Sequence, residues 1–396
     1  MTNKEKLTPK EKLDTVVVTG ISSQSNPENA VVPPIYLTTT YAQNNIDELG
    51  NFQYSRAHNP TRSQLETLLA KIEGADFVYT FSSGMAAISS FFSLFKPGDK
   101  LLLNTNIYGG TYAFVRQYLT QYDIAFELID DLNRLSVDDF TADVAGIFIE
   151  TPSNPLLRVT DIQKISTLAH QNGTIVAVDN TFLTPYYQKP LELGADLVVY
   201  SATKYFSGHA DVIAGFVATD DAILAKKINF FQTTQGAILS PFDAYSLIRG
   251  IKTLSVRLDR QEFNTLAIID FLAHHKAVNR VYFAGSYSRD EADIQESQAT
   301  GIGSVISFDL ADDYDLTTFL RHLKRFELAA SLGGVESLIE HVTTMSHQAF
   351  EADILARIGI TTNLLRLAIG IENKTDLIAD LHQAFVAAQK STFTNL

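Results

Sequence analysis

The chain has 396 residues, 45% of them hydrophobic and 19% charged, a composition typical of a soluble globular protein with a substantial core. This composition excludes a disordered tail, a collagen and a coiled coil. With 31 basic and 45 acidic residues the net charge is −14, so no nucleic-acid partner is expected. The sequence contains no cysteine, which excludes disulfides, thiolate metal sites and cysteine nucleophiles.

The first 53 residues form a segment of their own. Residues 1–12 are polar and are expected to be a frayed end, and 13–53 hold short apolar stretches broken by prolines, without a clear period. We interpret 1–53 as an extended arm that reaches a neighbouring subunit. The chain has neither the pattern of a signal peptide nor an apolar stretch long enough to span a bilayer, so a cytoplasmic protein without membrane contact is predicted.

From about residue 60, helical patterns alternate with short apolar stretches. This alternation predicts an α/β fold with a mostly parallel sheet between helices, in which ligands bind at the carboxyl ends of the strands. The predicted strands are 77–79, 100–103, 146–149, 174–178 and 196–200.

Beyond residue 250 the pattern changes to long helical segments, at 252–278 and 313–324, with later strands at 304–310 and 364–369. We therefore predict a large ligand-binding domain over 54–250 and a smaller C-terminal α+β domain over 251–396.

Two of the predicted strands end in residues that can carry chemistry. Asp179 follows 174–178, and a carboxylate there needs a cation or hydrogen-bond donors. Lys204 follows 196–200, where burial would lower the pKa of its ammonium group and make the amine a nucleophile. The alternatives are a helix cap for Asp179 and a lysine that extends to solvent.

The segment Phe81 to Ile88 follows a third strand and opens a helix with small residues. Backbone N–H groups at such a helix start stabilise an anion, although this segment taken alone is better explained by Ser82 or Ser83 as an ordinary N-cap. An anion site, a carboxylate and an activated amine together match the needs of pyridoxal phosphate (PLP). The sequence has no HExxH pair, phosphate-binding P-loop or GxSxG motif, and no metal site is predicted.

Eight motifs follow one another along the chain. They are YSRxxNPTR at 54–62, SSGMAAI at 82–88, YGGT at 108–111, SNP at 153–155, VDNTF at 178–182, SATKY at 201–205, SLGGVESL at 331–338 and RLAIGIE at 366–372. On their basis the chain resembles the Cys/Met metabolism (trans-sulfuration) family of fold-type I PLP enzymes, from about residue 13 to the end. The resemblance implies a PLP-dependent transferase-like large domain with a mostly parallel seven-stranded sheet.

The resemblance also implies roles for the residues that hold the cofactor. Lys204 would form the Schiff base with PLP and move the α-proton, and Asp179 would pair with the pyridine nitrogen. Tyr108 would stack on the ring and protonate the leaving group. The residues implied for the phosphate site are Gly84, Met85, Ser201 and Thr203.

Five further residues are implied at the subunit boundary and the substrate site. Tyr54 and Arg56 would reach the phosphate of the neighbouring subunit, which implies an active dimer doubled into a homotetramer. Arg366 and Asn154 would bind the substrate α-carboxylate, with Ser331 nearby, because a guanidinium matches a carboxylate in geometry. The alternative for Arg366 and Ser331 is a structural ion pair and a helix cap.

The choice of substrate depends on three positions. Ala57, Ala113 and Ala330 stand where family members that use cystathionine carry charged side chains. We therefore predict a carbon–sulfur lyase that favours methionine, homocysteine or cysteine and releases a 2-oxo acid and ammonia. Cystathionine β- or γ-lyase activity is the close alternative, followed by γ-replacement, as in cystathionine γ-synthase or O-acylhomoserine sulfhydrylase, and by a non-catalytic PLP-binding regulator.

Overall fold

The computed structural model describes residues 11–390, so most of the predicted frayed end, 1–10, lies outside the described residues. The arm is not extended throughout, which corrects the prediction. Leu13–Thr19 forms helix α1, because Leu13, Val16 and Val17 recur at helical spacing, and Val17 is buried against the helix Pro60–Glu73 (α2). Among residues 20–53, regular structure is limited to two short 3₁₀ turns and isolated bridges.

A seven-stranded sheet forms the centre of the large domain. Its order is β1-β7-β6-β5-β4-β2-β3, and only β7 runs against the others. All five strands predicted in this half of the chain are present, and the predicted fold class is confirmed. The strands are β1 Phe77–Phe81, β2 Lys100–Asn104, β3 Ala125–Ile129, β4 Val144–Glu150, β5 Ile175–Asp179, β6 Leu197–Tyr200 and β7 Gly215–Thr219.

Helices cover both faces of this sheet, which explains why its central strands are continuous apolar runs. In β6, Val198 and Tyr200 pack on the face covered by α2 and α8, while Leu197 and Val199 pack on the face covered by α3 and α7. The helices of this half are α2, α3 Gly84–Phe92, α4 Gly109–Phe114, α5 Ile162–His170, α6 Thr184–Tyr187, α7 Ala222–Gln235, α8 Pro241–Ile251 and α9 Leu254–Ala273.

The second sheet has five strands in the order β10-β11-β12-β9-β8. It packs on α9 and on the last helix through a separate apolar core. Within the described residues, no helix combines the length and apolarity needed to cross a bilayer. The elements are β8 Val278–Tyr282, α10 Arg289–Gln298, β9 Val305–Leu310, α11 Leu316–His322, β10 Glu327–Leu328, β11 Leu338–His341, α12 Ala352–Ile358, β12 Leu364–Ala368 and α13 Lys374–Ala388.

The parallel direction of the strands decides where the functional groups meet. β4, β5 and β6 lie side by side and end at the same edge, at Glu150, Asp179 and Tyr200. β1 points the same way, so α3 begins at that edge also. The loops that follow these strands therefore converge, as the sequence predicted.

Candidate active site

A cleft of about 430 Å³ lies at this edge, between the large sheet and the second domain. Ten of the twelve residues predicted to form the site line it. Those ten are Gly84, Met85, Tyr108, Asn154, Asp179, Ser201, Thr203, Lys204, Ser331 and Arg366.

Lys204 occupies the centre of the cleft. Burial lowers the pKa of its ammonium group from 10.5 to about 8, with a further lowering by the Arg366 charge and an opposing effect of Glu340. Its Nζ donates a hydrogen bond to Ser331 Oγ at 2.8 Å. The structure therefore places a partly activated amine, held by one hydroxyl, where the sequence predicted a nucleophile.

The loop that carries Ser331 approaches the lysine closely. Ser331 has a φ of 98°, a strained conformation for a residue with a side chain that costs roughly 1–3 kcal/mol. Gly333 has a φ of 76°, and a Cβ there would lie 2.7 Å from Tyr205 N and 2.9 Å from Lys204 C. This close approach brings the Ser331 hydroxyl within reach of Lys204.

Two buried carboxylates end neighbouring strands beside the lysine. Asp179 is 7% exposed and its Oδ1 accepts a hydrogen bond from Thr181 N at 3.0 Å; burial raises the pKa of Asp179 to about 6. Glu150 lies opposite it in the β4–β5 register. Burial and the Asp179 charge raise the pKa of Glu150 well above its usual range.

Arg366 projects from β12 with only 4% of its surface exposed. Its Nη1 donates to Asn154 Oδ1 at 2.8 Å, and its Nη2 donates to Ser331 O and pairs with Glu340, both at 3.0 Å. Its Nε is buried and has no hydrogen-bond partner among residues 11–390. The predicted structural ion pair therefore exists, and it leaves one donor free, as binding of an anion requires.

Helix α3 starts at the rim of the cleft with Ser83 as its N-cap, whose Oγ accepts from Ala86 N at 3.0 Å. The first N–H groups of a helix have no partner within it. A Cβ on Gly84 would lie 2.8 Å from Ser201 Cβ, so glycine is needed for the approach of this helix start to the Ser201 loop. The two readings of this segment, cap and anion site, are compatible in one structure.

Tyr54 and Arg56 are the two predicted residues that do not line the cleft of their own chain. Tyr54 is 49% exposed, and Arg56 donates to Thr233 O on α7. Buried Arg62 donates to the carbonyl oxygens of Ser55 and Ala57, and so holds the loop between them. The contact of Tyr54 and Arg56 with a neighbouring subunit stays a prediction.

Two ionisable residues that line the cleft, Glu150 and Glu340, were not among the predicted site residues. Glu150 ends an apolar parallel strand as Asp179 does, so the signal that identified Asp179 could have found it. Glu340 faces Arg366 through the pairing of β11 with β12. No local sequence pattern indicates that Glu340 belongs to the site.

The groups in the cleft fit PLP. The start of α3 provides a backbone cradle for a phosphate, Asp179 is a buried acceptor for a ring N–H, and Lys204 supplies the amine. Fold and site thus define a PLP-dependent enzyme. Residues 14–386 match the family described as "Cys/Met metabolism PLP-dependent enzyme", and the chain belongs to it.

Full-length relatives agree with this assignment. The chain is 43% identical over 373 residues to a cystathionine beta-lyase of Lactococcus lactis subsp. cremoris, with 94% of this chain and 98% of the relative covered. It is 40% identical over 374 residues to a cystathionine gamma-lyase of Bacillus subtilis, covering 94% and 99%.

A solved structure with a TM-score of 0.92 is that of a cystathionine gamma synthase from Xanthomonas oryzae in complex with aminoacrylate and cysteine. It is 38% identical, and 96% of this chain and 99% of that chain are covered. The matching lyases identify the chain as a PLP-dependent carbon–sulfur lyase of sulfur amino acid metabolism.

Proposed function

We propose that this enzyme eliminates the thiol from L-cystathionine in the described cleft. The observation that carries the proposal is the convergence of a buried amine, a buried carboxylate and a buried guanidinium with a free donor: Lys204, Asp179 and Arg366. The choice of cystathionine follows from the two lyases that match over the whole chain. The reaction removes the α-proton and breaks a carbon–sulfur bond with release of a thiol, and one water hydrolyses the remaining imine to a 2-oxo acid and ammonia.

The cofactor supplies a ring that withdraws electrons from the substrate α-carbon. Asp179 would accept a hydrogen bond from the ring nitrogen and keep it protonated; its pKa of about 6 leaves it mostly ionised at neutral pH. Tyr108, 43% exposed at the start of α4, would stack on the ring and protonate the leaving group. Gly84, Met85, Ser201 and Thr203, which line the cleft, would hold the phosphate.

Arg366 binds the substrate α-carboxylate through its free Nε together with the Asn154 amide, and Ser331 lies beside them. Charge-assisted bonds of this kind fix orientation as well as adding affinity. Lys204 accepts the α-proton, and its pKa of about 8 keeps a useful fraction of the amine neutral near physiological pH.

The assembly that we propose is a homodimer with two complete sites, doubled into a tetramer. Tyr54 and Arg56 are exposed at the surface of their own subunit, and they would reach the phosphate of the neighbouring one, Arg56 in exchange for its hydrogen bond to Thr233 O. The cytoplasmic location also stays a proposal.

A larger side chain at Gly84, where α3 begins, should weaken cofactor binding. In Gly84→Val, a side chain that begins 2.8 Å from Ser201 Cβ must push α3 away from the Ser201 loop. Such overpacking costs about 1–3 kcal/mol, so we expect the Kd for PLP to rise about tenfold or more. Titration of the apoenzyme with PLP, followed by absorbance, measures this. Gly50→Ala is the control, since its nearest contact would be 3.6 Å; equal affinity in both variants would contradict the assignment.

A product assay tests the reaction itself. L-cystathionine is expected to yield either pyruvate with homocysteine, by β-elimination, or 2-oxobutanoate with cysteine, by γ-elimination, each with one ammonia. Chromatography of the 2-oxo acid separates the two. Methionine, homocysteine and cysteine in parallel test the preference predicted from Ala57, Ala113 and Ala330.

The synthase with the same fold supports γ-replacement as the second candidate. An O-acylhomoserine with cysteine as acceptor belongs in the same panel. The proposed elimination is contradicted if the enzyme converts only the O-acylhomoserine with cysteine and releases no 2-oxo acid from cystathionine, methionine, homocysteine or cysteine alone.

A further inference from the structure

The buried carboxylate of Glu150 has no part in the proposed chemistry, although it lines the cleft and is only 5% exposed. Its Oε2 accepts a hydrogen bond from Tyr108 N at 2.9 Å, and its Oε1 accepts one from Asn154 N, also at 2.9 Å. Each oxygen therefore holds one backbone amide. The two amides belong to different loops, after β2 and after β4.

These loops carry groups with different proposed tasks. Tyr108 begins α4 and would stack on the cofactor, whereas Asn154 contacts Arg366 at the proposed carboxylate site. The Glu150 backbone is fixed in turn, because its N–H donates to Asn104 Oδ1 at 3.0 Å and β4 pairs with β2 and β5. One side chain on a central strand thus ties two parts of the site to the sheet.

We infer that Glu150 is a positioning residue, which sets Tyr108 against the cofactor and Asn154 against Arg366 at the same time. The inference rests on the proposed function. Only a carboxyl group offers two oxygens that both accept at this spacing. An amide replaces one of them with an NH₂ group, which faces a backbone N–H and leaves that buried donor without a partner.

Glu150→Gln tests the inference. We expect the Kd for PLP and the KM for substrate each to rise about tenfold, the effect of one buried donor left unpaired. The matched control is Asp380→Asn. Asp380 is 5% exposed and accepts backbone N–H bonds from Lys324 and Arg325 in the second domain, so its variant should lose thermal stability with both constants unchanged.

A double-mutant cycle separates positioning from general destabilisation. If Glu150 acts through Asn154, the increase in KM of the double variant is smaller than the product of the fold-increases caused by Glu150→Gln and Asn154→Ala alone. An increase equal to that product, or a lower Tm with both constants unchanged, would overturn the inference. Should Glu150→Gln fail to fold, Glu150→Asp is measured instead: it keeps both oxygens but is one methylene too short to reach both amides.

Failure of the proposed function is visible separately. The Kd for PLP, and the affinity for L-alanine followed by the change in cofactor absorption, do not depend on which bond the enzyme cleaves. An enzyme that makes no 2-oxo acid but shows the Glu150 effects on these two constants would contradict the proposed reaction and support the inference. An enzyme that releases 2-oxo acid but shows neither Glu150 effect would support the proposed reaction and contradict the inference.

Discussion

Lys204→Ala is expected to lower kcat by about 10³-fold or more, because the variant loses both the amine that bonds to the cofactor and the base for the α-proton. The variant should still fold, since removing an ammonium that burial already destabilises leaves no unpaired charge on that side chain. Steady-state release of 2-oxo acid, with thermal unfolding measured alongside, provides the check.

Lys189→Ala is the matched control for this lysine. Lys189 Nζ also donates to protein oxygens, the carbonyls of Ile72 and Glu73, but it does not line the cleft. Its variant should keep full activity. Borohydride reduction of the loaded wild-type enzyme, followed by peptide mapping, should tag Lys204; a tag on any other lysine would refute the assignment of the cleft.

Arg366→Lys is expected to raise the KM by about 100-fold with a smaller change in kcat. Lysine keeps the charge, but a single ammonium group cannot hold Asn154 and Glu340 and at the same time offer the substrate carboxylate a separate N–H, as the Arg366 guanidinium does through Nε. Initial rates over a range of substrate concentration separate the two constants.

A pair of ligands shows whether Arg366 acts on the substrate carboxylate. Cysteine and its decarboxylated analogue cysteamine differ in that group alone, so the variant should lose affinity for the first and little for the second. Arg158→Lys serves as control, because Arg158 pairs with buried Glu291 and does not line the cleft. An equal loss for both ligands in Arg366→Lys would assign Arg366 a structural role instead.

Local pattern was sufficient for five strands of the large sheet and for the residues that end two of them, whereas β3 and β7 were not predicted from it. A strand buried on both faces is apolar throughout, so its end is marked by the first polar side chain, as at Asp179. The same rule applied to β4 points to Glu150, and that residue was overlooked because no motif drew attention to it. Helix α1 was missed because its apolar period is only two turns long.

The geometry around Arg366 could not be predicted in this way. Its ion pair with Glu340 depends on the register of β11 against β12, and the hydrogen bond from Lys204 depends on the positive φ of Ser331. The pairing of Arg366 with Glu340 joins neighbouring strands of the second sheet. The hydrogen bond from Lys204 to Ser331 joins segments more than a hundred residues apart. Local propensity carries no information about either.

The amino-acid sequence by itself determined the parallel sheet, the amine and carboxylate at its edge, and the family with its cofactor, because apolar periodicity and motif spacing are properties of neighbouring residues. Only the tertiary structure decided which donors and acceptors of that edge are already paired. In the folded protein, Arg366 Nη1 and Nη2 and both oxygens of Glu150 have hydrogen-bond or ion-pair partners. Arg366 Nε has none among the described residues. Hydrogen-bond pairing in a buried cleft depends on three-dimensional distance, and the register and domain packing that set this distance are not encoded in any single segment.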